Sequence, residues 1–283
     1  LSILKTENLT YVYEDGTKAL NNVNLSVEKG EKTAFLGANG SGKSTFFLCL
    51  NGILKPGQGR ILFKDRPVEY SRKGLLKLRS KVGIVFQDPD NQLFSASVYQ
   101  EISFGLMNLG ITGQEAVKRV EAVMDAMEIQ SFRHKPTHLL SGGQKKQVAL
   151  ADILVMEPEI IILDEPASAL DPKHTGMINN ILKRLPEQGI TVIIATHDVD
   201  YALEWADKVV LFNNGEVIAA GKTEDIFMDK ELLKQTNLVQ PDVIKLYSGL
   251  CARGIIDRNL PVPKNFDILE EYIICSAGSR EYV

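Results

Sequence analysis

The apolar residues of this chain fall into two kinds of run. Ile3–Tyr13 has strand character through Leu9, Thr10, Tyr11, Val12 and Tyr13, and Ala19–Val27 partly alternates through Leu20, Val23, Leu25 and Val27. With the turn signal Glu14-Asp15-Gly16 between them, the two stretches predict an antiparallel β layer, half buried. The other runs are short and apolar: Thr33–Leu36, Gly59–Phe63, Lys81–Phe86, Ile160–Leu163 and Thr191–Ala195. Runs of that length suit strands, and Ile160–Leu163, unbroken and ending in Asp164-Glu165, reads as a buried parallel one. Helices are predicted over Lys43–Gly52, around Leu75–Leu78, over Val98–Met107, after Gln144, near Gly176–Leu185 and over Thr223–Lys234. Thr112-Gly113-Gln114-Glu115 has the form of a capping box, and the helix after it carries Ala116, Val120, Val123, Met124 and Met127 on one stripe. Val209–Phe212 and Glu216–Ala219 flank an Asn-Gly turn and predict a hairpin.

Strands and helices alternate, so the expected fold class is α/β, with the antiparallel β layer ahead of the core. From about Gln92 to Lys135 the pattern is a helical insert; with the next helix it makes a helical subdomain of about 92–158. The main domain is expected over 1–235. After Thr236, Pro241, Gly249, Gly254, Pro261 and Pro263 break the chain into short pieces, with one more helix or strand at Ile268–Ile274. Residues 236–283 are expected to be a small extension that packs on the core or on a second subunit.

The length of 283 residues is enough for a real core without disulfides or a structural metal. The net charge of −4 excludes a nucleic-acid binder that works by bulk charge, and no nucleic-acid partner is expected. Cys49, Cys251 and Cys275 are too far apart in sequence for a disulfide framework or metal cluster, and fit buried thiols in a reducing compartment. No signal peptide is visible at Leu1, and no stretch approaches the roughly 20 apolar residues that cross a bilayer. A membrane role therefore requires a partner.

The chemistry concentrates where strands end. Gly37-Ala38-Asn39-Gly40-Ser41-Gly42-Lys43-Ser44-Thr45 lies between an apolar strand and an apolar helix start, the context of a phosphate-binding loop. Its glycines let the backbone approach a ligand, and the N–H groups of the helix start face phosphate oxygens. Lys43 supplies charge to the β- and γ-phosphates and Ser44 a hydroxyl to magnesium. Gln87 ends one buried strand; Asp164 and Glu165 end another, Asp164 suited to order magnesium and Glu165 to polarise a water. His197 ends a third, where it can hold a phosphate or be a plain turn residue. Leu140-Ser141-Gly142-Gly143-Gln144 makes a second anion-suited helix start, with Ser141 and Gln144 spaced as a capping box. One nucleotide does not obviously need two such helix starts unless the second serves another subunit. Tyr11 and Tyr13 share a strand face; one can stack on adenine, and both also suit a sheet surface. Phe94 is either exposed for a partner or core.

These motifs, in this order, closely resemble the nucleotide-binding subunits of ABC transporters over Leu4 to about Leu233. The resemblance implies ATP and Mg2+ as cofactors. It makes Tyr13 the adenine-stacking aromatic, Gln87 the glutamine linking the magnesium site to the membrane partner, and Ser141–Gln144 the signature. It makes Asp164 the magnesium aspartate, Glu165 the catalytic glutamate, Ser168–Asp171 the D-loop with Asp171 among the nucleotide-binding residues, and His197 the switch histidine. It further implies a head-to-tail homodimer, or a heterodimer with a second such ATPase, each ATP lying between one phosphate loop and the partner's signature. Phe86–Phe94, Phe104-Gly105 and Asn108-Leu109-Gly110 narrow the resemblance to energy-coupling factor ATPases, and among them to those of cobalt or nickel uptake. That implies a coupling subunit docking near Gln87–Gly110, a substrate-specific membrane subunit, and a peripheral position on the cytoplasmic face of the cell membrane. It also suggests that the C-terminal extension helps dimerisation. Cobalt is the expected cargo, with nickel or a vitamin next. Two positions depart from the pattern: Gln147 where arginine is usual, expected to weaken an ion pair near the nucleotide interface, and Ala167-Ser168-Ala169 for the commoner Thr-Ala-Gly.

Overall fold

The computed structural model describes residues 1–168 and 170–278; Ala169, in the Ser168–Asp171 loop, and 279–283, at the end of the extension, lie outside the described residues. Strand β1 (Ser2–Val12) pairs antiparallel with β2 (Lys18–Glu28), Leu4 opposite Val27 and Leu9 opposite Val23. Strand β3 (Lys32–Leu36) runs into the phosphate loop and helix α1 (Lys43–Leu50). Strand β4 (Gln58–Phe63) returns to the free edge of β1, and the short β5 (Arg66–Pro67) completes a four-stranded sheet in the order β2-β1-β4-β5.

Helix α2 (Arg72–Arg79), capped by Ser71, leads to β6 (Val82–Val85). Helices α3 (Val98–Asn108), α4 (Gly113–Ala126) and α5 (Gly142–Leu154) follow before β7 (Ile160–Asp164). Then come α6 (Pro172–Arg184), β8 (Thr191–Ala195), α7 (Val199–Trp205) and the hairpin β9 (Lys208–Asn213) and β10 (Glu216–Lys222). The second sheet has six strands in the order β10-β9-β3-β8-β7-β6. All neighbours from β9 to β6 are parallel, and β10 is antiparallel at the edge. Consequently the carboxyl ends of β3, β8, β7 and β6 open side by side on one edge, which is where ligands bind in such sheets.

The period of two explains why the central strands are unbroken apolar runs. Ile160 and Ile162 join the core shared with the antiparallel sheet, whereas Ile161 and Leu163 join the core under the helices. Four phenylalanines link the loop strand to its helix. Phe35 on β3 lies with ring centroids 5.6 Å from Phe46 and 5.2 Å from Phe47 on α1, and 6.0 Å from Phe212 on β9.

Local chemistry moves several predicted boundaries. The helix expected near 176 begins at Pro172, because the Asp171 side chain accepts from the N–H groups of Lys173 and His174. Thr112 makes no side-chain cap bond; Glu115 pairs with Arg119 at 2.7 Å instead. The 223–234 helix divides into α8 (Thr223–Met228) and α9 (Lys230–Gln235) at Asp229, whose carboxylate caps the second piece. The later segment is more regular than its prolines suggest, with α10 (Asp242–Ala252) and α11 (Phe266–Gly278). Val243, Ile244, Tyr247, Cys251 and Leu269 enter the helix-side core, and Gln240 donates to the Phe227 carbonyl at 2.9 Å.

Replacing Phe35 by Ala should destabilise the fold by about 3–5 kcal/mol, the usual cost of emptying a fully buried aromatic site. Urea unfolding of the variant against the parent checks it; a midpoint unchanged would show that the four rings do not hold β3 to α1.

Candidate functional site

Glycine is required at two points of the phosphate loop. A Cβ on Gly37 (φ 151°) would lie 2.1 Å from the Phe212 carbonyl oxygen, and one on Gly42 (φ 107°) 2.5 Å from that of Ala19. The β9–β10 hairpin braces the loop, since the Gly215 N–H donates to the Ser41 carbonyl at 2.8 Å. Inside the loop the Lys43 ammonium, 8% exposed, donates to the carbonyls of Gly37 (2.7 Å) and Ala38 (3.1 Å) and contacts Ser41 Oγ at 3.4 Å. Burial pushes its pKa down, while the charges of Asp164 and Glu165 pull the other way.

The neighbouring strand ends supply oxygen and imidazole groups. Ser44 Oγ donates to Asp164 Oδ2 at 2.6 Å. Strand β7 stops at Asp164, and Glu165 turns into the left-handed region (φ 50°), its N–H held by the Ala195 carbonyl at 3.0 Å. This turn separates the two adjacent carboxylates: Asp164 meets Ser44, and Glu165 Oε1 lies 3.0 Å from Nδ1 of His197. Glu165 is 13% exposed and His197 78%. A hydroxyl and a carboxylate side by side form a hard oxygen donor set. It fits Mg2+, which needs only one or two protein ligands when substrate phosphates and water complete its shell.

A cavity of about 410 Å³ joins these groups; Tyr13, Asn39 through Thr45, Gln87, Asp164 and Glu165 line it. Gly37 and Ala38 lie behind it as partners of Lys43, and His197 reaches it through Glu165. At its mouth the Tyr13 hydroxyl bonds Thr45 Oγ1 at 2.9 Å, and its ring meets Tyr11 edge to face at 5.0 Å. Thr17, Lys18, Ala19 and the turn residues Asn214 and Gly215 also line it. Sequence reading missed them, and for Asn214 and Gly215 nothing in a hairpin turn signals its approach to a loop so much earlier in the chain.

Ser141, Gly142, Gly143, Gln144 and Asp171 are not brought to this cavity. Ser141 caps α5 in a complete capping box with Gln144, whose side chain lines a separate cavity of about 680 Å³. Gln147, where the sequence departs from arginine, is buried; its Nε2 donates to the Met127 carbonyl at 3.3 Å and lies 2.9 Å from Met177 Sδ. The departure therefore sits in the packing of α5.

Polar bonds attach the segment after β6 to the helices. Gln92 Nε2 donates to the Ala149 carbonyl at 2.8 Å and lies 3.3 Å from Asp152 Oδ2. Buried Glu101 accepts from the N–H groups of Phe94 (3.0 Å) and Ser95 (2.6 Å). Lys145 of α5 pairs with Asp90 at 2.5 Å. Phe94 is 66% exposed, with its ring edge to face against Phe104 at 4.9 Å. Burial pushes the Asp152 carboxyl up to about 7; Gln92 opposes this and the charge of Glu101 adds to it.

A parallel sheet that gathers a phosphate loop and a carboxylate-tipped strand on one edge, with an antiparallel sheet against one face, is the architecture of a P-loop nucleoside triphosphatase. The family model described as ABC transporter matches residues 20–168. The energy-coupling factor transporter ATP-binding protein EcfA2 of Clostridium perfringens is 51% identical over 242 residues, 85% of each chain. Among solved structures, cbiO1 from Clostridium perfringens, described as part of the ABC transporter complex cbiONQ, superposes with a TM-score of 0.74. It is 50% identical, with 87% of this chain and 99% of that one covered. A dimeric ATP-binding cassette in a post-hydrolysis state bound to ADP and Pi superposes at 0.71 with 31% identity, over 78% and 98% of the two chains. The chain belongs to the ABC transporter ATP-binding proteins of the energy-coupling factor type. It is an ATPase that works with ATP and Mg2+ to drive transport.

Asp152 supplies a pH test. Burial pushes its folded pKa up to about 7 from the ordinary 3.8, so its contribution to stability is full below about 4 and is lost as pH rises through about 7. Asp152→Asn should flatten the fall in stability between pH 5 and pH 8, read as urea midpoints across that range. An unchanged pH profile would contradict the burial of this carboxyl.

Proposed function

We propose that this chain powers the import of cobalt ions through a membrane energy-coupling factor complex, from the cytoplasmic face of the membrane. The observation that carries the hydrolytic part is the Glu165–His197 pair, at 3.0 Å, beside a cavity floored by Lys43 and edged by Ser44 and Asp164. Cobalt is supported by the likeness of Phe86–Phe94 and Asn108–Gly110 to cobalt and nickel uptake ATPases, and by the similarity to cbiO1 of the cbiONQ complex.

In this reading Tyr13 receives the adenine ring, and the N–H groups from Asn39 to Thr45 receive the phosphates. Ser44, Asp164 and Gln87 hold Mg2+, which when bound offsets phosphate charge. Glu165 accepts a hydrogen bond from the attacking water and takes its proton as the water oxygen bonds the γ-phosphorus, while the bond from that phosphorus to the β,γ-bridging oxygen breaks and ADP leaves. Lys43 and His197 stabilise the charge growing on the transferred group. Ser141, the amides of Gly142 and Gly143, and Gln144 serve the nucleotide held by a partner ATPase, in a homodimer or a heterodimer. Asp171 and its loop lie at that contact. That accounts for a second anion-suited helix start lying away from the cavity.

The ATPase domain is assigned to 1–235, with a helical subdomain at about 92–158 that receives the coupling subunit between Gln87 and Gly110. The 236–283 extension supports dimerisation. Exposed Phe94 and Met107, at 66% and 64%, suit an apolar partner in that region.

Glu165→Gln should lower turnover by about a hundredfold or more while ATP-dependent dimerisation persists, since general-base catalysis is typically worth that much. Phosphate release against sedimentation of the ATP-bound variant measures both, and undiminished hydrolysis would remove Glu165 from this role. Phe94→Ala with Met107→Ala should weaken capture of the membrane subunits about tenfold or more, the scale expected when apolar anchors are truncated. Recovery with native membranes reads it, and unchanged recovery places the docking surface elsewhere. The same pull-down identifies the cargo: a metal-specific integral protein supports cobalt or nickel, and a vitamin-binding one replaces both.

A further inference from the structure

Lys146 lies in α5, five residues after the capping Ser141, and is 7% exposed. Its ammonium has three hydrogens and no acceptor, so burial requires carbonyl partners. It finds three, all in the loop after β7: the carbonyls of Glu165 at 2.9 Å, Pro166 at 3.2 Å and Ser168 at 2.8 Å. Burial pushes its pKa down, against the charges of Glu165 and Asp88.

The loop it holds is strained at its first residue. Glu165 is a non-glycine residue at φ 50°, a conformation that persists only where surroundings over-determine it. The Glu165 N–H is held by Ala195, and its carbonyl is held by the Ser168 N–H at 3.1 Å and by Lys146. Pro166 has no N–H with which to brace the turn itself. From outside the loop, Ala195 thus holds the Glu165 N–H and Lys146 its carbonyl, and together they set the Glu165 backbone and with it the direction of the carboxylate toward His197.

A second contact reaches the same helix independently. Buried Gly143 faces the ring of His174 so closely that a Cβ would lie 2.5 Å from His174 Cδ2. His174 Nδ1 in turn lies 2.5 Å from Asp171 Oδ2. The start of α5 is therefore clamped to both ends of the 165–171 loop. We infer that Lys146 is a positioning residue that ties the alignment of Glu165 to the seating of the signature helix, so that a chain's own hydrolysis responds to its grip on the partner's nucleotide. The inference rests on the proposed head-to-tail pairing and on Glu165 as the base.

The test uses the full chain in its membrane complex, with steady-state ATPase kinetics and equilibrium ATP binding. Lys146→Met keeps the unbranched apolar stem and removes the ammonium with its donors. It should lower kcat per bound nucleotide about tenfold or more, as small misplacements of a reacting group do. KM should stay within about twofold, because Lys146 does not line the nucleotide cavity. The Hill coefficient, expected above one in the parent, should fall to one. Lys146→Arg, which retains charge and donors, should recover part of both. A merely structural role would lower the thermal midpoint and the bound fraction, but not kcat per bound nucleotide or the Hill coefficient. Wild-type kcat and cooperativity in Lys146→Met, or a Hill coefficient of one in the parent, overturns the inference. If Lys146→Met does not fold, Lys146→Gln replaces it: its two donors cannot hold three carbonyls, so kcat per bound nucleotide should still fall, and an unchanged value overturns the inference. Glu165→Gln is run alongside. Full activity there removes the base itself, whereas an inactive Glu165→Gln beside a normal Lys146→Met removes only the positioning role.

Discussion

An ammonium group taken out of water must place three hydrogens on acceptors, and backbone carbonyls in the loops that leave strands, with a hydroxyl beside them, can receive them. This chain buries two such groups beside the same edge of its parallel sheet. Lys43 is surrounded by Gly37, Ala38 and Ser41, and Lys146 by Glu165, Pro166 and Ser168. In both cases the carbonyls belong to a loop leaving a buried strand. The two cages therefore shape the phosphate loop after β3 and the acidic loop after β7, and the distance between these loops is set by the intervening β8. The Ser44–Asp164 bond bridges them across that gap.

The helices between β6 and β7 carry this arrangement outward. Helix α5 is held along its length: Gly143 packs close to the His174 ring, Lys145 pairs with Asp90, Lys146 bonds the acidic loop, and Ala149 and Asp152 meet Gln92. One rigid element thereby touches the loop that carries Glu165 and the segment that begins at Gln87. Gln92, two residues before Phe94, bonds Ala149 and Asp152 of α5, and Lys146 of the same helix bonds the carbonyl of Glu165.

Much of this was legible in the residues. The strand runs, the phosphate loop, the Asn-Gly hairpin and the Ser141–Gln144 capping box follow from spacing and from the demands of single residues, and each is present. Legibility failed where two side chains compete for one role. Glu115 had a capping position and an arginine one turn away, and the arginine took it. Asp171 and Asp229 started helices at places where periodicity alone drew other boundaries. The extension was read as broken because prolines are visible in a sequence, whereas the core that Ile244, Tyr247 and Leu269 enter is not.

By itself the sequence determined which chemical groups are present and which local backbone each can adopt: glycines that admit a close approach, a proline after Glu165, hydroxyls and carboxylates at strand ends. These are short-range properties, settled within a few residues by sterics and hydrogen-bond capacity. Only the tertiary structure decided which of them meet. The strand order β3-β8-β7-β6 is not the chain order, so no spacing reveals that Ser44 reaches Asp164 or that Glu165 faces His197. Nor could spacing distinguish Lys146 from its exposed-looking neighbours after the signature. Its partners lie about twenty residues away, across a strand and a left-handed turn, and their meeting depends on how α5 packs against the sheet.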